Sequence, residues 1–298
     1  MNPLVERRCR VTVSVQRPGE TASDSPRWLE YAFEDHRMHI SISQGGGQFG
    51  NARIAIFGMR LDAMNKIARL WLESMTPITT DTVGVDVWDG GNFVPLFRGV
   101  IAWAAVNAGS APDVSLEIDA NSFMAAMNEP APPYVQDTPL ALQDALTAIL
   151  APTDITVAFA ETVPALQVQK VHVIGTPMQQ AQRVMNAYPE LTWYIDLQRM
   201  IVRPVGAPAE ADAVTISRET GLIGYPTYST SGVTLSTLFD PRIRLGLALD
   251  IRTEFDFVNR TKWITSVLQH NLQPNTPGGQ WSTQIAAQAW GKKGNTNG

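Results

Sequence analysis

The chain has 298 residues, a length that suggests about two domains of ~150 residues each and gives a core large enough to fold without disulfides. Hydrophobic residues make up 44% and charged residues only 17%, against roughly 25% charged in an average soluble domain; this suits either a weakly charged monomer or a surface largely covered in the working state. The net charge is −5, and Lys and Arg are scattered without a stripe that could neutralise a row of phosphates, which argues against tight or sequence-reading nucleic-acid binding.

Met1 to Arg10 carries Glu6, Arg7, Arg8 and Arg10 and has no apolar stretch, so it does not read as a secretory signal. Cys9 is the single cysteine, which rules out an internal disulfide and a cysteine-rich zinc site and fits folding in a reducing cytoplasm. No apolar run reaches the ~18 residues of a membrane-spanning helix. A soluble protein made inside a cell is the expectation.

Val11, Val13 and Val15 alternate with polar neighbours and predict a strand. Residues 17–27 read as a loop. Met38, Ile40 and Ile42 alternate again until Gly45–Gly47, and Ala52, Ile54 and Ile56 predict a further strand. Leu61, Met64, Ile67 and Trp71 recur at helical spacing, with Asp62 in the first turn. Val83, Val85 and Val87 begin a hairpin that turns at Asp89-Gly90-Gly91-Asn92 and returns through Phe93 to Ile101. Val114, Leu116, Ile118 and Ala120 close this part. Several short strands around one helix predict a closed or nearly closed barrel, because closure removes exposed edges.

Composition shifts at Asn128 to Pro139, where Pro130, Pro132, Pro133 and Pro139 read as a linker. Thr138-Pro139 predicts an N-cap with proline at the first helical position, followed by the apolar face Leu142, Leu146, Ile149 and Leu150, with Ala151-Pro152 as the stop. Ile155, Val157 and Phe159 predict a strand. Thr176-Pro177 repeats the cap before a helix carrying Met178, Ala181, Val184 and Met185, and Leu191 to Arg203 reads as a hairpin turning near Asp196 to Arg199. In the last third, Ile243, Leu245, Leu247, Leu249 and Ile251 form the cleanest period-two run. Trp263 to Leu272 and Gln280 to Ala287 predict two more strands around a Pro277-Gly278-Gly279 turn, and the polar tail Gly291 to Gly298 reads as mobile. The expected fold is mainly β (α+β). A first tube-like β-barrel occupies 1–127, an inserted α+β module 128–213, a second β-barrel 214–290 and a flexible tail 291–298.

Motifs for chemistry are weak. Gly45-Gly46-Gly47-Gln48-Phe49-Gly50 matches G-x-G-x-x-G, but a dinucleotide site needs a helix directly after it and Asn51 to Phe57 alternates as a strand. A β–β connection free to reach a neighbouring subunit is the better reading. His36 and His39 are three apart on a segment that reads as a strand, where they point to opposite faces, and His172 and His270 lie far off with no partner to assign. There is no G-x-S-x-G, no P-loop and no H-E-x-x-H. No pair of acids is singled out for glycoside hydrolysis, and Asp137-Thr138-Pro139 is explained by its cap role. No catalytic residue, cofactor or metal is therefore expected. Among the tryptophans, Trp71, Trp88, Trp103, Trp193 and Trp263 lie in or beside apolar periodic segments, where core packing is the default. Trp28, Trp281 and Trp290 fit either core packing or subunit contacts. With Gly45, Gly46, Gly47 and Phe49 they form the candidate subunit interface.

The C-terminal third resembles a known family. Gly221-Leu222-Ile223-Gly224-Tyr225-Pro226, Gly232-Val233, Leu238-Phe239-Asp240-Pro241 and Ile243-Arg244-Leu245-Gly246 are similar to the second barrel of phage baseplate hub proteins. These are the tail hub or late control protein D-like family, related to the hub part of type VI secretion spike proteins. Trp263-Ile264 to Val267, His270-Asn271-Leu272 and Gly279-Gln280-Trp281-Ser282-Thr283 resemble its closing strands. Arg53 to Met59 and the Trp193-Tyr194-Ile195-Asp196 hairpin are arranged similarly. The resemblance implies a structural subunit and not an enzyme: a homotrimer whose paired barrels form a pseudo-sixfold ring joining the tail tube protein to the spike protein, beside other baseplate subunits. Phage DNA or a tape-measure protein would pass through the lumen without specific binding, and no membrane insertion is implied. The implied place is the virion tail baseplate, after assembly in the host cytoplasm. A cell-wall hydrolase on a β scaffold and a tail tube subunit are the alternatives.

Overall fold

The computed structural model describes residues 6–17, 27–45, 48–68, 81–109, 111–229 and 232–291. The first part contains β1 (Cys9–Arg17), β2 (Arg27–Phe33), β3 (Met38–Gly45), β4 (Gln48–Phe57), helix α1 (Leu61–Ile67), β5 (Thr82–Trp88), β6 (Phe93–Asn107) and β7 (Ser115–Asn121). The strands lie side by side in the order β3-β4-β7-β6-β5-β1-β2. Their alternation has one cause: Val11, Val13 and Val15, Met38, Ile40 and Ile42, Ala52, Ile54 and Ile56, Val83, Val85 and Val87, and Leu116, Ile118 and Ala120 all enter one buried cluster with Met64 and Ile67 of α1. The sheet thus curls around the helix, and each buried Val or Ile contributes roughly 1.5–3 kcal/mol. Trp71, assigned to the same helix face from its spacing, lies outside the described residues.

The strand at Arg27–Phe33 is absent from the sequence reading. Leu29, Tyr31 and Phe33 pack on the first cluster, while Trp28 faces out. The placement of Trp103 in the core is corrected: it is 37% exposed. A register shift between Ile101 and Trp103 turns Ala104 inward and Trp103 outward, the side-switch that one extra residue imposes on a strand.

The middle part contains α2 (Met124–Asn128), β8 (Ala131–Gln136), β9 (Leu140–Ala141), α3 (Leu142–Leu150), β10 (Thr156–Phe159), β11 (Gln167–Val168), β12 (Val171–Gly175), α4 (Pro177–Met185), β13 (Leu191–Asp196) and β14 (Arg199–Pro204). A second buried cluster draws on α2, α3, α4 and the surrounding strands. The linker expected at 128–139 contains a strand, since β8 pairs with β12. It carries Pro132 and Pro133 because it pairs on one side alone among the described residues, and an edge strand tolerates missing N–H groups. The cap expected at Thr138 is not made. Leu140 and Ala141 pair with β11 instead, the Leu142 amide donates to the Leu166 carbonyl at 2.9 Å, and α3 starts behind Ala141. At α4 the same Thr-Pro signal is used: Thr176 forms a capping box with Gln179, with Pro177 in the first turn.

The last part contains β15 (Val214–Ile216), β16 (Leu222–Ser229), β17 (Gly232–Leu238), β18 (Ala248–Ile251), α5 (Asp256–Arg260), β19 (Trp263–Leu272) and β20 (Trp281–Ala289) around a third buried cluster. The long strand expected from Ile243 to Ile251 shortens to β18. Ile243 and Leu245 are buried as the alternation requires, but Gly246 adopts φ +73° and Asp240 turns the chain by accepting the Arg242 amide at 2.9 Å. Burial periodicity survives there without a ladder.

β19 pairs antiparallel with β3, from Val267 opposite Gly45 to Leu272 opposite Ile40. The two β regions are therefore one sheet, ordered β16-β17-β20-β19-β3-β4-β7-β6-β5-β1-β2, with β18 also paired to β19 and β15 to β18. The fold is mainly β, as expected, but among the described residues the ladder does not close into a barrel. Among the described residues its main path ends at β2 and β16, and the branch through β18 ends at β15.

Candidate assembly surfaces and the module junction

The residues singled out from sequence fall in different places. Gly45 lies on β3 opposite Val267, and an added Cβ would sit 3.4 Å from a Val267 methyl. Gly50 on β4 packs against Ser122, whose amide and hydroxyl both donate to the Gly50 carbonyl, at 2.8 and 3.1 Å. Gly45 and Gly50, which flank the rest of the glycine run, are thus each held within the chain. Gly46 and Gly47 lie outside the described residues, and Phe49 is on β4. Trp28 is exposed on the edge strand β2. Trp281 is half-buried, packs on the first cluster and meets Phe239 edge-on at 5.7 Å. Trp290 carries the Lys262 ammonium 4.9 Å from its ring centroid.

Sequence reasoning missed an exposed aromatic surface. Tyr225 and Tyr228 on β16 and Phe255 and Phe257 at α5 are each between 42% and 64% exposed. Their rings touch one another, with Phe255 5.7 Å from Tyr225 and 6.0 Å from Tyr228, and Phe257 6.2 Å from Tyr228. Phe257 also leans on the buried Trp263 at 6.3 Å. These residues sit at spacings with no apolar period, so only their crowding into two short segments could have marked them. Exposed aromatic clusters of this kind mark contact sites.

A polar junction ties the three clusters together. Arg244 pairs with Asp196 of the β13–β14 hairpin at 3.2 Å and donates to the Pro95 carbonyl on β6 at 2.9 Å. One side chain from the last part thus holds the other two. Beside it His270 on β19 is fully buried, with its Nδ1 2.9 Å from the Thr283 hydroxyl and Phe239 edge-on at 5.3 Å. Burial pushes its pKa down to about 3, and the Arg244 charge acts in the same direction. Burial also raises the Cys9 thiol well above its usual range, which leaves it unreactive.

His36 and His39 do not meet as a pair. His36 stacks edge-on with Phe33 at 5.3 Å and His39 with Phe57 at 5.0 Å. Among the described residues no group of three or more His, Cys, Asp or Glu is placed to hold a metal ion, and no helix is long and apolar enough to cross a membrane.

A family model described as baseplate hub gp41 matches residues 88–276, more than half of the chain. The chain belongs to the baseplate hub gp41 family. Solved structures agree with this hub on the fold. A tail protein from Neisseria meningitidis MC58 superposes with a TM-score of 0.60 at 13% identity, covering 94% of this chain and 96% of that one. The 43 kDa tail protein of prophage MuSo2 from Shewanella oneidensis gives 0.57 at 8% identity, covering 93% and 96%. An E. coli type VI secretion component, described as structurally similar to the T4 tail proteins gp27 and gp5, gives 0.55 at 11% identity, covering 88% and 76%. No curated protein matches the hub in sequence. The hub is a structural baseplate protein of the phage-tail type, as the second-barrel motifs implied.

Proposed function

We propose that three copies of this hub form a pseudo-sixfold ring that joins the tail tube to the central spike and leaves an axial channel for DNA or a tape-measure protein. The observation that carries this reading is the β3–β19 pairing, which makes two β regions of one chain into a single sheet whose main path ends, among the described residues, at β2 and β16. Two similar β regions per chain allow threefold copies to present six units. Pairing of edge β2 of one copy with edge β16 of the next is a head-to-tail contact, which generates a ring when its rotation closes. The aromatic surface on β16 and α5 supplies apolar area for a second copy, and obligate interfaces of this type often exceed ~2,000 Å². The net charge of −5 suits a lumen through which DNA slides, because fixed positive charge would hold phosphates. In this reading the work is mechanical rather than catalytic, and the ring assembles in the host cytoplasm before joining the virion tail.

Native mass measurement and negative-stain imaging of the purified chain test it. The expected particle has three times the 32.6 kDa chain mass, three lobes and a central hole. A hexamer or open polymer would move the assignment to a tube subunit. A lone monomer at assembly concentrations, or turnover of peptidoglycan by the pure chain, would defeat the ring.

A further inference from the structure

A cavity of about 730 Å³ lies where α4, the β13–β14 hairpin and strands β19 and β20 meet. Arg203 on β14 is the one charged side chain among its lining residues, and Asp and Glu are absent from that lining. Around it are neutral donors and acceptors, including Thr176, Gln182, Thr192 and Gln288. Thr176 is the N-cap of α4, so the positive end of that helix opens on the same space.

Arg203 is only 6% exposed. One of its terminal nitrogens donates to the Ala207 carbonyl, and its guanidinium carbon lies 5.9 Å from the Tyr194 ring centroid. Its Nε is buried without a partner, and no ion pair is made to it among the described residues. A guanidinium keeps its charge at any working pH, and a buried charge without a counter-ion is costly. The cost is structural and local: Tyr194 forms the floor beneath the arginine, and Gly246, whose added Cβ would fall 2.4 Å from the Tyr194 ring, lets the chain pass under it. A planar fork of N–H donors among amides and hydroxyls is the complement of one carboxylate.

We propose that this cavity binds a carboxylate carried by a neighbouring polypeptide, with Arg203 as the counter-ion. The proposal rests on the hub reading only for the source of the carboxylate, since a subunit packed among other proteins meets acidic side chains and chain ends.

Thr192 offers a sharp control. It stands directly opposite Arg203 across the β13–β14 pair, a relation that brings Cβ atoms to about 5 Å. Titration calorimetry on the purified full chain would compare acetyl-Ala-Glu-Ala-amide with its Gln twin, and acetyl-tri-alanine acid with its amide. Inorganic phosphate would be a fifth probe. The expected result is that a carboxylate peptide binds at least about tenfold tighter than its neutral twin, and the arm that wins tells side chain from chain end. Thr192→Asp is expected to raise the melting temperature and abolish that binding, because it fills the site from within. Arg203→Lys, which keeps the charge but not the fork, is expected to weaken binding by about tenfold with little change in melting. Equal affinity of acid and neutral twins, preference for phosphate, or a lower melting temperature for Thr192→Asp would overturn the proposal and leave Arg203 as a purely structural bond to Ala207. The titration does not depend on ring formation, so a monomeric chain that binds the carboxylate would sink the ring and not the site.

Discussion

At the scale of single residues the junction is held by groups whose burial changes their chemistry. His270 is the clearest. It lies opposite Ile42 on one neighbouring strand and Thr283 on the other, so the imidazole sits within the sheet that joins the two β regions. Unfolded, its pKa is near ~6.5; folded, it is pushed down to about 3 by burial first and by Arg244 second. The native state therefore binds fewer protons than the unfolded chain between those values. The stability from this group is present above about pH 6.5 and is lost as pH falls towards 3, with a limiting slope of about 1.4 kcal/mol per pH unit. Urea unfolding at pH 7 and pH 4.5 should show a smaller loss for His270→Gln than for the natural chain, because the amide keeps a partner for Thr283 and does not titrate. An equal loss in both proteins would place the acid sensitivity elsewhere. The sequence marked His270 within a closing-strand motif but not its burial, since its partners are supplied by strands 13 and over 200 residues away.

Elements show which local signals survive tertiary packing. Thr138-Pro139 and Thr176-Pro177 are the same dipeptide, yet only the second caps a helix. The difference is a competitor: Leu140 and Ala141 find strand partners on β11, and the freed amide of Leu142 finds the Leu166 carbonyl. Thr176→Ala should lower stability by about 1 kcal/mol, whereas Thr138→Ala should stay within about 0.5 kcal/mol, both read from denaturant midpoints at unchanged slope. Strands with one buried face were legible because alternation is a burial signal. It marked β1, β3, β4, β5, β7 and β19, and it was present at Leu29, Tyr31 and Phe33 of β2 as well. It misled where burial and hydrogen bonding part company. The 243–251 run keeps its buried side chains but loses its ladder at Gly246, and Trp103 is turned outward by a bulge that no period reveals. The prolines of β8 hid a strand because a missing N–H is harmless on an edge. The aromatic surface and Arg203 were illegible for a related reason: both are assembled from segments distant in sequence.

For the whole molecule the question is what covers the aromatic surface of β16 and α5. Tyr225, Tyr228, Phe255 and Phe257 form one touching group at a free end of the sheet, and a side chain left in water there contributes little to the fold. The same area buried against a second copy can supply hot spots of about 2 kcal/mol or more each. The two states make opposite demands on a double variant, Tyr225→Ser with Phe257→Ser. If the surface belongs to an assembled ring, the variant keeps the melting behaviour of a folded chain but shifts from oligomer to monomer at concentrations where the natural protein stays assembled. Leu61→Ser, an equally exposed apolar change on helix α1, should leave the oligomer intact. Sedimentation velocity on the three proteins separates the cases. An assembled double variant would assign the contact to another face, with the Trp28 edge of β2 the next to test, because a ring of head-to-tail copies needs both ends of the sheet and a change at either should open it.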